Sequence, residues 1–219
     1  MNCCRPDNAW DEMFDVRMAK HDLKRFRKRG PAPTARAMIN LLRERGVQDA
    51  TLLDIGGGVG AIHHELLDAG AKSAVHADAS SWYINVARQE AERRGHSDRV
   101  EFVYGDFVAQ GENIAAADVV TLDRVICCYA DMPALVHASA SRARKFYSTS
   151  FPRDRWFLRV GFRVLNWVMA LRRRAFRIYL HSPYDIHAAL KREGLTLRST
   201  ARTFVWQVVV YARQRAELE

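Results

Sequence analysis

The sequence has few cysteines, no apolar run long enough for a membrane span, and no repeats. Each absence removes a class of protein. The four cysteines fall as two adjacent pairs, Cys3-Cys4 and Cys127-Cys128. Neither pair has the C-x-x-C spacing of a zinc site, so free thiols and no metal are expected. Met1 to Trp10 is polar and lacks the apolar stretch of a secretory signal, so the expected location is cytoplasmic. The apolar segment Trp156–Leu171 is too short and too charged to span a bilayer, which takes ~20 apolar residues. No internal repeat or low-complexity tract interrupts the chain. At 219 residues and 48% hydrophobic content, the sequence fits one folded domain over residues 1–219 and argues against wholesale disorder.

What the sequence does have is positive charge in clusters. The formal net charge is +9. Lys20, Lys24, Arg25, Arg27, Lys28 and Arg29 lie close together, and Arg172, Arg173, Arg174 and Arg177 form a second group. Such clusters suit phosphates, anionic lipid or an acidic substrate, and equally suit solvated helix faces.

The most informative stretch is Thr51-Leu52-Leu53-Asp54-Ile55-Gly56-Gly57-Gly58-Val59-Gly60. An apolar strand ends at an aspartate, opens into a glycine loop and continues into a helix, Ala61 to Ala69. Glycines permit a tight turn and the close approach of a ligand. The loop also satisfies the G-x-G-x-x-A dinucleotide fingerprint, so the surrounding acids decide. Asp54 before the loop suits a cationic amino group and would repel a pyrophosphate. A second strand, Ala71 to Ala77, ends at Asp78 and Ala79, where a carboxylate can accept from a ribose diol. A third, Val100 to Tyr104, runs into Gly105-Asp106-Phe107, an acid and an aromatic suited to adenine.

Strands and helices alternate beyond this point. Helix Ser80 to Arg94 stops at Gly95. Ala117 to Leu122 reads as strand four, Asp131 to Arg142 as a helix and Lys145 to Phe151 as strand five. Ser182-Pro183 opens a late helix with the hydroxyl as cap. Leu195 to Ser199 and Thr203 to Tyr211 are too close for a helical crossover and should pair as an antiparallel hairpin. Upstream, Trp10, Met13, Phe14 and Met18 predict one amphipathic opening helix, ended by Gly30-Pro31. Thr34 is placed to cap the next helix. The fold class is α/β: a Rossmann-like, doubly wound, mostly parallel seven-stranded sheet ending in an antiparallel hairpin. Residues 1–48 form an N-terminal helical cap and residues 152–180 a helical lid inserted after strand five. In the lid, Arg155, Arg159 and Arg163 share one face, and the remainder is apolar. A lid, a peripheral membrane contact through residues 156–171, and a dimer contact are three uses of such a helix.

The order of acid, glycine loop, acid after strand two and Gly-Asp after strand three resembles the class I methyltransferases. The resemblance covers about residues 50 to 125. It implies S-adenosylmethionine as methyl donor, with S-adenosylhomocysteine as product. Asp54, Gly56, Gly58 and Gly60 would surround its methionine part. Asp78 would hold the ribose, and Asp106 and Phe107 the adenine. The C-terminal half is similar to magnesium-protoporphyrin O-methyltransferases, through Asp118 to Asp123 with Arg124 to Tyr129, and through Tyr179 to Ile186. That family has a histidine in a run after the strand-four aspartate, where this chain has Ile126-Cys127-Cys128-Tyr129. The layout carries over and the tetrapyrrole substrate does not.

The expected acceptor is therefore a small, hydrophobic or aromatic molecule. Candidates for a general base are Asp123, Tyr129 and His181, with a second donor-binding or loop-ordering role open for Asp123. The histidines 63, 64, 137 and 187 lie on helices without metal-ligand spacing and receive no role. Three alternatives stand beside this reading. The basic surface could serve an RNA methyltransferase, although Leu122-Asp123-Arg124-Val125 is not the Asn/Asp-Pro-Pro-Tyr/Phe motif of base-nitrogen enzymes. Cys127 and Cys128 could hold arsenite for methylation. A non-catalytic protein could bind the cofactor or a membrane without turnover.

Overall fold

The computed structural model describes residues 9–214. The elements run α1 (Ala9–Met13), α2 (Val16–Arg29), α3 (Pro33–Arg43), β1 (Thr51–Ile55), α4 (Ala61–Asp68), β2 (Ser73–Asp78), α5 (Ser81–Arg94), β3 (Val100–Tyr104), α6 (Phe107–Gln110), β4 (Ala117–Asp123), α7 (Met132–Ala140), β5 (Ala143–Pro152), α8 (Trp156–Leu171), α9 (Pro183–Arg192), β6 (Leu195–Arg202) and β7 (Trp206–Arg213). The seven strands form one sheet in the order β3-β2-β1-β4-β5-β7-β6. Neighbours from β3 to β5 are parallel. β7 pairs antiparallel with both β5 and β6. The doubly wound α/β sheet and its closing hairpin are as expected from the sequence.

Alternation along each strand divides the core into two layers, because successive side chains point to opposite faces. Leu53 and Ile55 of β1, Val120 and Leu122 of β4, and Val209 and Tyr211 of β7 pack with α7 and α9 on one face. Leu52, Val119, Val208 and Val210 pack with α3 and α4 on the other. Asp54 shares a face with Leu52, and this places its carboxylate beneath α4.

Three local expectations are corrected. The opening helix is two helices, because Asp15 interrupts it: its carboxylate accepts from Met18 N–H at 2.9 Å and caps α2. Thr34 does not cap α3. Ala32 occupies that position with Pro33 following, and the Thr34 hydroxyl is directed to Asp123 instead. Ser182 sits at the N-cap of α9, but its side chain makes no capping bond, and Pro183 fixes the first turn. The N-terminal region also divides. α3 is a layer helix of the sheet, with Met38 and Leu42 fully buried. α2 packs on α5 through Leu23 and Phe26, in a satellite cluster with Tyr83 and Val86.

α8 lies on the outside of this body. Met169 is its single buried residue, and Trp156, Val160, Val164, Trp167 and Leu171 form an exposed apolar stripe. Among the described residues no helix is long and apolar enough to cross a membrane.

Candidate functional site

A cavity of about 380 Å³ opens beyond the carboxyl ends of β1 to β4, within the range of small-molecule sites. Parallel strands all deliver their C-terminal turns to this edge, so the residues that follow β1, β2, β3 and β4 meet there although they are far apart in sequence. Gly56, Gly58, Asp78, Ala79, Asp106, Phe107, Asp123, Cys127, Cys128 and Tyr129 all line it. Gly60 and His181 do not.

The glycine loop is demanded by its neighbours as much as by any ligand. Gly56, Gly58 and Gly60 have φ of 62°, 59° and 80°, a region that L side chains rarely adopt. A Cβ on Gly56 would lie 2.5 Å from Val125, and one on Gly60 2.6 Å from His63. One on Gly58 would meet only Tyr83, at 3.7 Å, an ordinary contact. Gly60 is thus constrained by the histidines of α4, which it precedes as N-cap.

Asp78 organises the loop from below. Its Oδ2 accepts from Gly58 N–H at 3.0 Å and its Oδ1 from Ser80 N–H at 2.8 Å. Burial pushes its pKa up to about 6, against the pull of those two N–H donors. An ionised carboxylate has about four acceptor positions, so two remain. Asp106 caps α6 by accepting from Val108 N–H at 3.0 Å, and the Tyr129 hydroxyl donates to both its oxygens at 3.1 and 3.0 Å. Phe107 is 6% exposed and belongs to the core beneath. It borders the cavity from there.

Asp54 is the most deeply buried of the acids around the loop. It is 1% exposed. Its Oδ1 accepts the Thr121 hydroxyl at 2.7 Å and its Oδ2 lies 2.9 Å from His63 Nδ1. Asp54 nevertheless stands among the residues that line the cavity, with both oxygens already hydrogen-bonded within the protein. Burial raises its pKa above the ordinary carboxylate range.

The candidate bases are also engaged. Asp123 Oδ1 accepts from Ser150 Oγ at 2.6 Å, and Oδ2 accepts from Thr34 Oγ1 at 3.0 Å and Arg124 Nε at 3.4 Å. It ties α3, β4 and β5 together, which is the loop-ordering role. His181 donates from Nε2 to the Tyr129 carbonyl at 2.8 Å and stacks on Tyr179 outside the cavity. It is a positioning group for the Tyr129 turn and is not placed as a base. Cys127 and Cys128 place their sulfurs 3.8 Å apart, and each thiol donates to the Arg124 carbonyl at 3.4 Å. The bond to Cys128 and burial raise the Cys127 thiol well above its ordinary range. Cys3 and Cys4 lie outside the described residues.

The sequence reading missed the far wall. Trp10 from α1, Phe14 from the turn between α1 and α2, Tyr83 from α5, Phe176 and Ile178 after α8, and Trp206 from β7 close the cavity with apolar and aromatic surface. Phe14 meets Phe176 edge-on at 5.4 Å and Tyr83 at 6.1 Å. Arg174 reaches the Glu12 carboxylate at 3.1 Å. The contacts of Phe14 with Phe176 and of Glu12 with Arg174 join segments 162 residues apart, and only the helical spacing of Trp10 and Phe14 hinted at them. No residue of α8 itself lines the cavity.

Comparison with known proteins agrees with this geometry. Residues 52–145 match the family model of a methyltransferase domain. The structure is similar to that of magnesium protoporphyrin IX methyltransferase from Synechocystis PCC 6803 with bound SAH, at 21% identity and TM-score 0.67, over 94% of each chain. It is also similar to an O-methyltransferase family protein from Burkholderia thailandensis, at 18% identity and TM-score 0.71, over 95% of this chain and 65% of that one. A third likeness is to an O-methyltransferase family 2 protein from Planctomyces limnophilus in complex with apigenin. There the identity is 15% and the TM-score 0.65, over 89% of this chain and 61% of that one. No curated protein matches by sequence. The chain carries a methyltransferase domain and has the fold of the class I S-adenosylmethionine-dependent methyltransferases.

Proposed function

We propose that the cavity holds S-adenosylmethionine against its glycine-loop wall and a small apolar or aromatic acceptor against its aromatic wall, and that the chain moves a methyl group from one to the other in line. The observation that carries this reading is the union of two surfaces in one cavity. Gly56, Gly58, Asp78 and Asp106 form one side, and Trp10, Phe14, Phe176 and Trp206 the other.

The polar side fits the donor. Asp78 keeps two acceptor positions for ribose hydroxyls while its other two hold the loop in shape. Gly58 leaves room for close approach. Asp106, fixed by Tyr129, presents a carboxylate to the adenine end. Bound S-adenosylmethionine supplies an electrophilic methyl carbon on a sulfonium. What the chain contributes is alignment of the two partners and exclusion of water by the aromatic wall.

No candidate base is free to take a proton at the cavity, since Asp123 and Tyr129 are both engaged. This favours an acceptor that is already anionic, such as a carboxylate on an apolar or aromatic body. Arg25 and Arg124 also line the cavity, paired with Asp22 and Asp123 at 3.4 Å each. The test is transfer of labelled methyl from S-adenosylmethionine to a panel of aromatic and aliphatic carboxylic acids, phenols and total RNA. Label should appear on the acids. Label on RNA alone would overturn the substrate class.

A further inference from the structure

Directly beneath the glycine loop lies a group of buried polar side chains, one of which, Asp54, also borders the cavity. Asp54 on β1 and His76 on β2 are partners in the parallel register, so they stand side by side on the face covered by α4. His63, in the first turn of α4, comes down onto them. All three are sealed from solvent, at 1%, 0% and 0% exposure. A carboxylate oxygen of Asp54 and one ring nitrogen each of His63 and His76 lie within 4.8 Å of one another.

The histidines are under-bonded for so dry a place. Neither ring nitrogen of His76 has a hydrogen-bond partner, and Nε2 of His63 has none. Buried polar atoms are nearly always paired, and an exception needs a reason. Burial lowers the pKa of both imidazoles to about 3, so both are neutral near pH 7 and keep a lone pair for donation. The Thr121 hydroxyl holds Asp54 by Oδ1 and leaves Oδ2 facing the histidines, as an outer-shell partner orients a metal-binding carboxylate. The roof is Gly57. A Cβ there would lie 2.6 Å from His76 Nδ1 and 2.9 Å from Asp54 Oδ2. Gly57 has no left-handed φ to explain its identity, so the space above this group is what requires a glycine.

We propose that Asp54, His63 and His76 bind a divalent transition-metal ion, with zinc the best fit, as a structural tie between β1, β2 and α4 under the glycine loop. Two imidazoles and a carboxylate are a ligand set that zinc accepts, with a bound water as the fourth ligand. Ligands at tetrahedral angles on bonds of about 2.1 Å sit about 3.4 Å apart, so side-chain rotations of roughly an ångström close the site. The spacing rule applied to the sequence missed it because the ligands come from two strands and a helix.

Because the site is sealed, metal should enter during folding, and the test is made on refolded full-length protein. The chain is unfolded in denaturant with chelator and refolded with Co²⁺, then freed of excess ion by gel filtration. Wild type should retain about one Co²⁺ per chain, with the visible bands of a four-coordinate ion and no near-ultraviolet thiolate charge transfer. His76→Leu, which fills the space with apolar atoms, and the milder His76→Gln should lose the bands. His137→Ala, on an exposed imidazole, should keep them. Circular dichroism and S-adenosylhomocysteine binding report whether each chain has refolded. Refolded wild type without retained Co²⁺, equal retention by both His76 variants, or thiolate bands would each overturn the site.

Discussion

Gly57 shows how much a single residue in the loop is asked to do. Its backbone borders the cavity above, and its missing side chain makes room for His76 and Asp54 below. Gly57→Ala should therefore destabilise the fold by about 1–3 kcal/mol through overpacking, measured by urea unfolding. Adding His76→Ala should recover part of that loss, and a strictly additive double variant would contradict the packing argument. Asp78 makes the complementary case at the same scale. If its two remaining acceptor positions take ribose hydroxyls, Asp78→Ala should weaken S-adenosylhomocysteine binding by about 10²-fold, since hydrogen bonds to charged groups are worth roughly 1.5–3 kcal/mol. An unchanged Kd would remove the ribose assignment. The positions of these residues were legible in the sequence because strand ends and glycine turns have local signatures. Their side-chain directions were not. Asp54 reads as a ligand group in the string, and only the sheet register reveals the histidine beside it.

Among the elements, α8 stands apart. It has helical periodicity, yet its apolar stripe is exposed instead of packed, and the cavity wall beside it comes from Phe176 and Ile178. A patch of this kind marks a surface that meets apolar matter. If that surface is a membrane, Trp156→Ser together with Trp167→Ser should reduce sedimentation with lipid vesicles and leave S-adenosylhomocysteine affinity unchanged. Equal sedimentation of variant and wild type would remove the membrane contact. The helix itself was readable from sequence. Its relation to the cavity depends on the turn after Leu171, where periodicity carries no information. The tie from α3 to β4 was equally hidden: Thr34 has the chemistry of a cap, and a tertiary partner, Asp123, takes its hydroxyl. Thr34→Val should cost about 1 kcal/mol of stability, and no change in unfolding free energy would show that the bond contributes nothing.

For the whole molecule, the attachment of the N-terminal helices matters most, because they supply half the aromatic wall. Glu90 on α5 is fully buried and accepts from Arg27 of α2, Arg93 and Arg94. Burial alone would raise its carboxyl, but the hydrogen bonds from Arg93, Arg27 and Arg94 outweigh burial and hold its pKa at about 2. A depressed carboxyl stabilises the folded state above its unfolded range, and that contribution disappears as pH falls from about 4.5 to 2. Glu90→Gln should thus be less stable than wild type by about 2–3 kcal/mol near pH 7, and the gap should narrow through that acid window. A gap independent of pH would mean that the arginines do not stabilise the charge. Alternation of strand and helix made the sheet legible from end to end, since each element has a local period. The closure of the cavity by Trp10, Phe14, Phe176 and Trp206 was not, because it joins the two ends of the chain.

The central claim is that this cavity takes S-adenosylmethionine. Calorimetric titration of the purified protein with S-adenosylhomocysteine, with NADH in parallel, tests it most directly. The geometry of Asp78, Asp106 and the glycine loop predicts saturable binding of S-adenosylhomocysteine and no heat from NADH. Binding of NADH alone would mean that the loop faces a pyrophosphate and that the chemistry is that of an oxidoreductase.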